Sequence, residues 1–79
     1  MKARTFTNKI YRWTITEDGT SICTLLEVRN ITVSELSVNV HQVNSFVCGY
    51  VRSSRSSGQY FVETSYNQGR VMCFANISF

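Results

Sequence analysis

A hairpin signal near the start of the chain constrains the fold more than any other feature of the sequence. Residues 9–29 contain two segments that alternate apolar and polar side chains, one on each side of Asp18-Gly19. Alternation with a period of two is typical of a strand that buries one face. Asp-Gly favours a type I′ turn, in which both central residues take positive φ. The sequence therefore predicts an antiparallel hairpin over Lys9–Arg29, with a strongly apolar face that carries Tyr11, Trp13 and Ile15.

The next stretch, residues 30–47, has two competing periodicities. Its valines favour a strand. Thr32 and Glu35, however, have the spacing of a capping box, and apolar residues recur at intervals of three and four. A helix is therefore predicted from about Val33 to Val43, with an apolar stripe formed by Val33, Leu36, Val40, Val43 and Val47.

Three further segments alternate like strands and are separated by turn-forming residues. They are SFVCGYVR, QYFVETSY and VMCFANISF, which begin at residues 45, 59 and 71. The polar loop SSRSSG joins the first two, and Asn67 and Gly69 supply residues that tolerate positive φ before the third. The predicted order is β-β-α-β-β-β. The expected fold class is α+β, a two-layer domain in which one helix covers one face of a five-stranded antiparallel sheet.

Size and composition indicate one small domain without a membrane anchor. A chain of 79 residues has too little surface to bury for two cores, so residues 1–79 are predicted to form a single domain. No apolar run is long enough to cross a membrane, and the first ten residues lack the apolar core of a secretory signal. Cys23, Cys48 and Cys73 are odd in number, which suits free thiols in a reducing compartment. We therefore expect a cytoplasmic protein, of a cell or a host cell.

Residues that could support catalysis or bind metal are few and scattered. His41 is the single histidine, and no segment around a cysteine resembles a nucleophile signature, although a thiol–imidazole pair would activate a thiolate. Structural zinc sites usually take ligands in closely spaced pairs such as Cys-x2-Cys, and the sequence has no such pair. We predict that the chain is not an enzyme and that it holds no metal and no cofactor.

Basic and aromatic residues suggest two kinds of partner. The net charge is +3, and arginines interleave with aromatic residues along the chain. Aromatic side chains beside arginines bind single-stranded nucleic acid, because bases stack on the rings and phosphates pair with the cations. Tyrosine, tryptophan and arginine also anchor protein interfaces. A sheet that is apolar on both sides but has one covering helix predicts an exposed apolar patch.

Protein binding is the first hypothesis. The chain is predicted to be a small basic, non-enzymatic protein-binding module that blocks a surface on a larger partner, as inhibitors and adaptors encoded by phages and other mobile elements do. A homodimer is one form that this binding would take. The alternative is a nucleic-acid-binding accessory protein, and no membrane partner is expected. The residues predicted to bind a partner are Tyr11, Trp13, Tyr50, Arg52, Arg55 and Tyr60.

Overall fold

Four antiparallel strands and one helix account for the regular structure of residues 3–34, 37–67 and 69–79, which the computed structural model describes. The elements are β1 Arg4–Ile15, β2 Ser21–Val33, α1 Val40–Ser54, β3 Gln59–Tyr66 and β4 Val71–Ser78. The strand order across the sheet is β2-β1-β3-β4. The α+β class and the antiparallel sheet are confirmed. The prediction of five strands is wrong, because the segment SFVCGYVR lies within α1.

The helix carries the chain from one side of β1 to the other. β2 and β3 both lie antiparallel beside β1, so they run parallel to each other. A connection between parallel strands has to cross over the sheet, and α1 makes that crossing. The helix packs on β1, β3 and β4, and β4 then follows β3 as a hairpin partner. The result is a two-layer domain with its helix on one face of the sheet.

The helix begins seven residues later than the sequence predicted. Thr32 and Val33 are not helical, because they are the last residues of β2 and pair with β1. The N-cap is Asn39, whose Oδ1 accepts a hydrogen bond from Gln42 N at 3.0 Å while Gln42 Oε1 accepts one from Asn39 N at 2.9 Å. Asn39 and Gln42 therefore form a capping box, in the same stretch of sequence as the predicted one at Thr32. Glu35, the predicted partner of Thr32, lies outside the described residues.

The buried side of α1 keeps part of the predicted apolar stripe. Val33 lies in β2 instead, and Leu36 is outside the described residues. Three valines of the stripe are buried against the sheet, and a fourth continues it by one turn: Val40, Val43, Val47 and Val51. The strands supply the other side of a thin core, formed by Phe6, Ile10, Tyr60, Val62 and Ile77.

Two of the three predicted hairpin connections are present, and the first has a different geometry. The remaining prediction is wrong, because the loop SSRSSG follows α1 and joins a helix, not a strand, to β3. In the Asp18-Gly19 pair, only Gly19 has positive φ, at 86°, so the predicted type I′ turn is wrong. Thr16 N donates to Thr20 O at 2.9 Å, which closes a longer loop. The Thr16 hydroxyl, and the main-chain N–H and side chain of Thr20, hydrogen-bond to the Asp18 carboxylate. These hydrogen bonds hold the pKa of Asp18 below its usual value. Between β3 and β4, positive φ occurs at the two predicted residues, Asn67 and Gly69.

Three polar side chains are buried between the helix and the sheet, and they bond to one another. Thr64 Oγ1 donates to Asn8 Oδ1 at 2.6 Å, and Asn44 Nδ2 donates to Thr64 Oγ1 at 3.1 Å. Asn44 Nδ2 also lies within hydrogen-bond distance of the main-chain oxygens of Val62 and Cys73, at 3.3 and 3.4 Å. This network joins α1 to β1, β3 and β4. A shift of the helix would leave these buried groups unpaired, so the network fixes where α1 sits.

The three cysteines are free thiols, as predicted, and their packing predicts a clear order of reactivity. We expect iodoacetamide to modify Cys23 first and Cys48 last in the native protein. Cys23 is exposed on β2, whereas Cys48 is buried in α1, and burial raises the pKa of its thiol, so that less of it is thiolate. Timed quenching followed by peptide mass spectrometry measures the order, with the unfolded chain as the control in which all three react. Faster modification of Cys48 than of Cys23 would contradict the packing.

Candidate functional site

The side of the sheet opposite α1 is uncovered by any element that the structure describes. In β1, the residues at alternate positions from Phe6 to Ile10 are buried beneath the helix. Successive side chains of a strand point to opposite faces, so the residues between them lie on the other side. The strand register brings Phe61 beside Tyr11 on that side. We call this surface the open face. On β1 it consists of Thr5, Thr7, Lys9, Tyr11 and Trp13. On the other three strands it consists of the residues that lie beside these five in the strand register.

Aromatic rings from three strands pack together on the open face. The ring centroids of Tyr11 and Phe61 are 5.9 Å apart, and those of Phe61 and Phe74 are 5.5 Å apart with the planes tilted by 19°. Cross-strand ring pairs of this kind stabilise the sheet. They nevertheless leave much apolar surface in water, since Phe74 is 54% exposed and Trp13 is 38% exposed. We call this cluster the aromatic patch; its members are Tyr11, Trp13, Leu25, Val28, Phe61 and Phe74.

Beside the exposed Met72, the polar side chains near the Thr5 end of the open face are bonded to one another. The hydroxyls of Thr5 and Thr32 lie 3.0 Å apart, and Thr7 Oγ1 donates to Asn30 Oδ1 at 3.1 Å. Ser65 Oγ donates to the main-chain oxygen of Thr7 at 3.4 Å. Because these groups already have hydrogen-bond partners, a second molecule gains little by binding to them. The aromatic patch is therefore the part of the open face at which binding would release the most free energy.

Arginines of the first hairpin lie on the helix side of the sheet, away from the aromatic patch. The guanidinium of Arg12 lies 5.5 Å from the ring centre of Tyr60, and that of Arg29 lies 4.0 Å from the ring centre of Tyr50. Arg4 contacts the rings of core residues on the same side. The interleaving of arginines and aromatic residues in the sequence therefore does not place those arginines beside the exposed rings.

The open face carries one base and one acid among its described residues. These are Lys9 and Glu63, which are register partners on β1 and β3. The face is therefore neutral overall, and the net charge of +3 resides elsewhere on the molecule. A nucleic-acid backbone is bound by several cations, one for each phosphate neutralised. A single lysine beside a glutamate does not supply them, so the open face suits an apolar surface of low charge.

Two of the six residues predicted to bind a partner lie in the aromatic patch, namely Tyr11 and Trp13. Tyr60 lies on the helix side, is 1% exposed and belongs to the core. Phe61 and Phe74 complete the patch and were not among the predicted residues. Alternation in QYFVETSY separates Tyr60 from Phe61, but it does not indicate which of the two the helix covers.

The other three predicted residues lie on or just after α1. Tyr50 Oη and Arg55 Nη2 both donate to Glu27 Oε1, at 3.1 and 2.8 Å, and Arg29 Nη1 is 3.7 Å from the same carboxylate. Burial raises the pKa of Glu27, but the hydrogen bonds and cations outweigh it, and the pKa lies below its usual value. This cluster ties β2 to the end of α1. Arg52 is exposed in the last turn of the helix.

One thiol–imidazole pair is present between β4 and the first turn of α1. Cys73 Sγ lies 3.2 Å from His41 Nδ1. Nucleophilic catalysis also needs a group that orients the base, donors for the developing oxyanion and a place for the substrate. Neither residue lines the groove beside Trp13, the groove between β2 and α1, or the groove beside Tyr50, and the described residues contain no cluster of three metal-binding side chains. The pair therefore supplies two of the groups that nucleophilic catalysis uses, a thiol nucleophile and an imidazole base.

One surface groove borders the open face, and another lies between β2 and α1. One, of about 350 Å³, lies beside Trp13 and is lined on the open face by Gln59 and Asn76. The other, of about 320 Å³, is apolar and lies between β2 and α1, where Ile31 and Phe46 line it. The first groove gives the open face a concave region next to the aromatic patch.

The sequence matches no family model, no curated protein and no solved structure. Within the described ranges, α1 is too short and too polar to pass through a bilayer, and no other helix is present there to do so. The inference of function therefore rests on the geometry and the charge of the open face.

Proposed function

We propose that this chain is a non-enzymatic protein-binding module whose open face binds an apolar protein surface of low charge. The observation that supports the proposal is the aromatic patch, in which rings from three strands stack and yet Phe74 keeps about half of its surface in water. Rings held by a sheet lose little conformational freedom when they are covered. Apolar patches of this kind mark interfaces, and aromatic residues are the usual anchors within them.

The magnitude of the apolar term is sufficient for a specific complex. Complete burial of a large apolar side chain contributes about 1.5–3 kcal/mol. Side chains that are already half buried retain about half of that, so covering the aromatic patch contributes several kcal/mol in total. Salt does not screen this term, unlike the binding of phosphates. Affinity for a protein partner through the open face should therefore depend weakly on ionic strength.

Nucleic-acid binding remains the alternative function, and the positions of the arginines count against it at the open face. Stacked bases need cations beside them for the phosphates. Arg12 and Arg29 lie over rings on the helix side instead. Among the described residues away from the open face, Arg52 in the last turn of α1 and Arg70 in the turn before β4 are exposed, whereas Arg55 is already paired with Glu27.

The biological setting that we propose follows from the same features. A small module without catalytic groups acts by occupying a surface of a larger protein, which is how inhibitors and adaptors of phages and other mobile elements act. A reducing cytoplasm would keep its three thiols free.

Phe74→Asp is expected to abolish the capture of protein partners, because it replaces the most exposed ring of the aromatic patch by a charge within an apolar contact. The measurement is photo-crosslinking in a nuclease-treated lysate, with the wild-type chain and the variant compared band by band. Phe46→Asp is the matched control, since Phe46 is 67% exposed on α1 and lies on another surface. Bands that Phe74→Asp loses and Phe46→Asp keeps support the proposal, and bands that both variants keep contradict it.

The alternative is tested by titrating the chain against a mixed pool of DNA and RNA at low and moderate salt. We expect binding weaker than micromolar at both. Micromolar or tighter binding that disappears with salt, that Arg55→Glu abolishes and that Phe74→Asp leaves intact would replace protein binding by nucleic-acid binding.

A further inference from the structure

We propose that, while no larger partner is bound, the surface which covers the open face is the open face of a second copy of this chain. The inference rests on the proposed function, because it requires the open face to be a protein interface. In the homodimer the two sheets pack face to face and the two helices lie on the outside, which makes a four-layer assembly. Packed sheets lie about 10 Å apart, with the side chains of the two inner faces interdigitated.

The size of the open face matches what a stable dimer needs. Taken at about 3.3 Å per residue and 4.8 Å per strand, the four strands have a flat footprint of roughly 650 Å². Side chains that stand out from the sheet make the accessible surface larger than this footprint. Standard specific interfaces bury about 800 Å² on each partner. A second copy presents a surface of the same extent, so neither copy leaves a large part of the aromatic patch uncovered.

The charges of the open face are complementary to themselves. A two-fold dimer brings the same patch of both copies together, so if one residue contacts a second across the interface, the second contacts the first in the same way. Lys9 and Glu63 lie side by side in register, between Val28 and Phe74 of the aromatic patch. When two such faces meet about a two-fold axis, Lys9 of one copy can lie opposite Glu63 of the other. The face-to-face contact therefore places opposite charges together and leaves no unpaired charge under the apolar layer.

The remaining charges favour this arrangement over others. Each chain carries a net charge of +3, which opposes association. Arg12 and Arg29 lie on the helix side of the sheet, so a face-to-face dimer directs them away from the partner copy. Contact through the helix sides would bring the arginines of the two copies together. The groove beside Trp13 borders the open face at the end of the sheet, where Gln59 and Asn76 line it together with the core residues Tyr60 and Ile77.

Phe74→Asp is expected to weaken self-association by roughly 30-fold or more, the effect of replacing a large exposed apolar anchor of an interface by a charge. Sedimentation velocity of the purified chain over a range of micromolar concentrations measures the dimer, and circular dichroism first shows that each variant is folded. Phe46→Asp is expected to dimerise like the wild-type chain. Dimers that form equally well in Phe74→Asp would place the contact elsewhere, for example at the edges of β2 or β4, and would overturn the inference.

Charge reversal provides a test that leaves the aromatic patch intact. Lys9→Glu makes the open face doubly negative and Glu63→Lys makes it doubly positive, so each variant alone is expected to dimerise at least tenfold more weakly than the wild-type chain. An equimolar mixture of the two variants should regain dimers, each with one copy of either variant. A mixture that associates no better than its separate components would contradict face-to-face packing.

The failure of this inference can be distinguished from the failure of the proposed function. A wild-type chain that stays monomeric at every concentration removes the second copy as the occupant. If Phe74→Asp then still loses crosslinked partners that Phe46→Asp keeps, the open face binds a different protein and the proposed function stands. If Phe74→Asp changes neither self-association nor partner capture, both proposals fail.

Discussion

Tyr60→Ala is expected to lower the free energy of unfolding by about 3–5 kcal/mol, the usual cost of removing a large buried aromatic side chain. The ring is 1% exposed, stacks on Phe79 with centroids 5.5 Å apart, and its hydroxyl donates to the main-chain oxygen of Ser56 at 2.8 Å. A chain of 79 residues has a stability of roughly 4–12 kcal/mol. The substitution therefore removes a large share of it, and at the lower end of that range the protein unfolds.

Urea denaturation followed by circular dichroism measures this loss, and two control variants separate its causes. Tyr60→Phe keeps the ring and removes the hydrogen bond, so we expect a loss of about 1 kcal/mol. Trp13→Ala truncates a larger side chain on the open face and should cost less than Tyr60→Ala, because Trp13 is already 38% exposed. A larger loss of stability for Trp13→Ala than for Tyr60→Ala would mean that the helix covers the side of the sheet that carries Trp13.

Asn44→Ala is expected to cost about 2–3 kcal/mol, although it removes no apolar group. Asn44 is buried, and its amide donates to Thr64 Oγ1 as well as facing two main-chain oxygens. Loss of one member leaves buried partners without a hydrogen bond, which costs about 1–3 kcal/mol, and the space left by the side chain adds to this. Thr64→Val, which keeps the shape of the side chain, should cost about 1–2 kcal/mol because Asn8 and Asn44 both lose a partner.

The double variant tests whether the two residues act as one network. Residues that share a hydrogen bond are not additive, so the combined loss for Asn44→Ala with Thr64→Val should be smaller than the sum by about 1 kcal/mol. Chemical denaturation of the four chains gives this coupling energy. Losses that add without any coupling would mean that Asn44 and Thr64 are stabilised independently, and the proposed alignment of α1 by the network would be wrong.

The first hairpin could be predicted from the sequence because its signals are local. Alternation on both sides of Asp18-Gly19 places two strands together regardless of what the rest of the chain does. The type I′ geometry could not be predicted with it, because Thr16 and Thr20 close a longer loop in which the glycine alone takes positive φ. The hairpin itself is present, but its strands extend beyond the predicted Lys9–Arg29, to Arg4 and Val33. The detail of the turn depended on side-chain hydrogen bonds.

The position of the helix was wrong because two capping boxes of similar strength occur in one stretch. Thr32 with Glu35 and Asn39 with Gln42 have the same spacing, and local chemistry does not choose between them. Long-range pairing decides, since β1 extends far enough to pair with Thr32 and keeps it in β2. The same shift turned a predicted strand, SFVCGYVR, into the second half of α1, which removed the fifth strand.

The aromatic patch was predictable only in part for a related reason. Strand alternation shows that Tyr60 and Phe61 lie on opposite faces, but both are large and apolar. Which face is covered depends on where α1 packs, and that follows from the crossing connection and from the buried Asn44. Tyr11, Trp13 and Tyr60 were all chosen because tyrosine and tryptophan anchor interfaces, and only the first two lie on the uncovered face.

The emission of Trp13 provides the most direct test of the claim that a protein covers the open face, because it is the single tryptophan of the chain and lies in the aromatic patch. When the wild-type chain is concentrated, we expect its emission to move to shorter wavelength and its quenching by acrylamide to fall, while Phe74→Asp keeps the spectrum of the dilute protein. An emission spectrum that stays the same at every concentration, and that also stays the same when the chain is crosslinked to its captured partners, would show that Trp13 remains in water and would contradict the account.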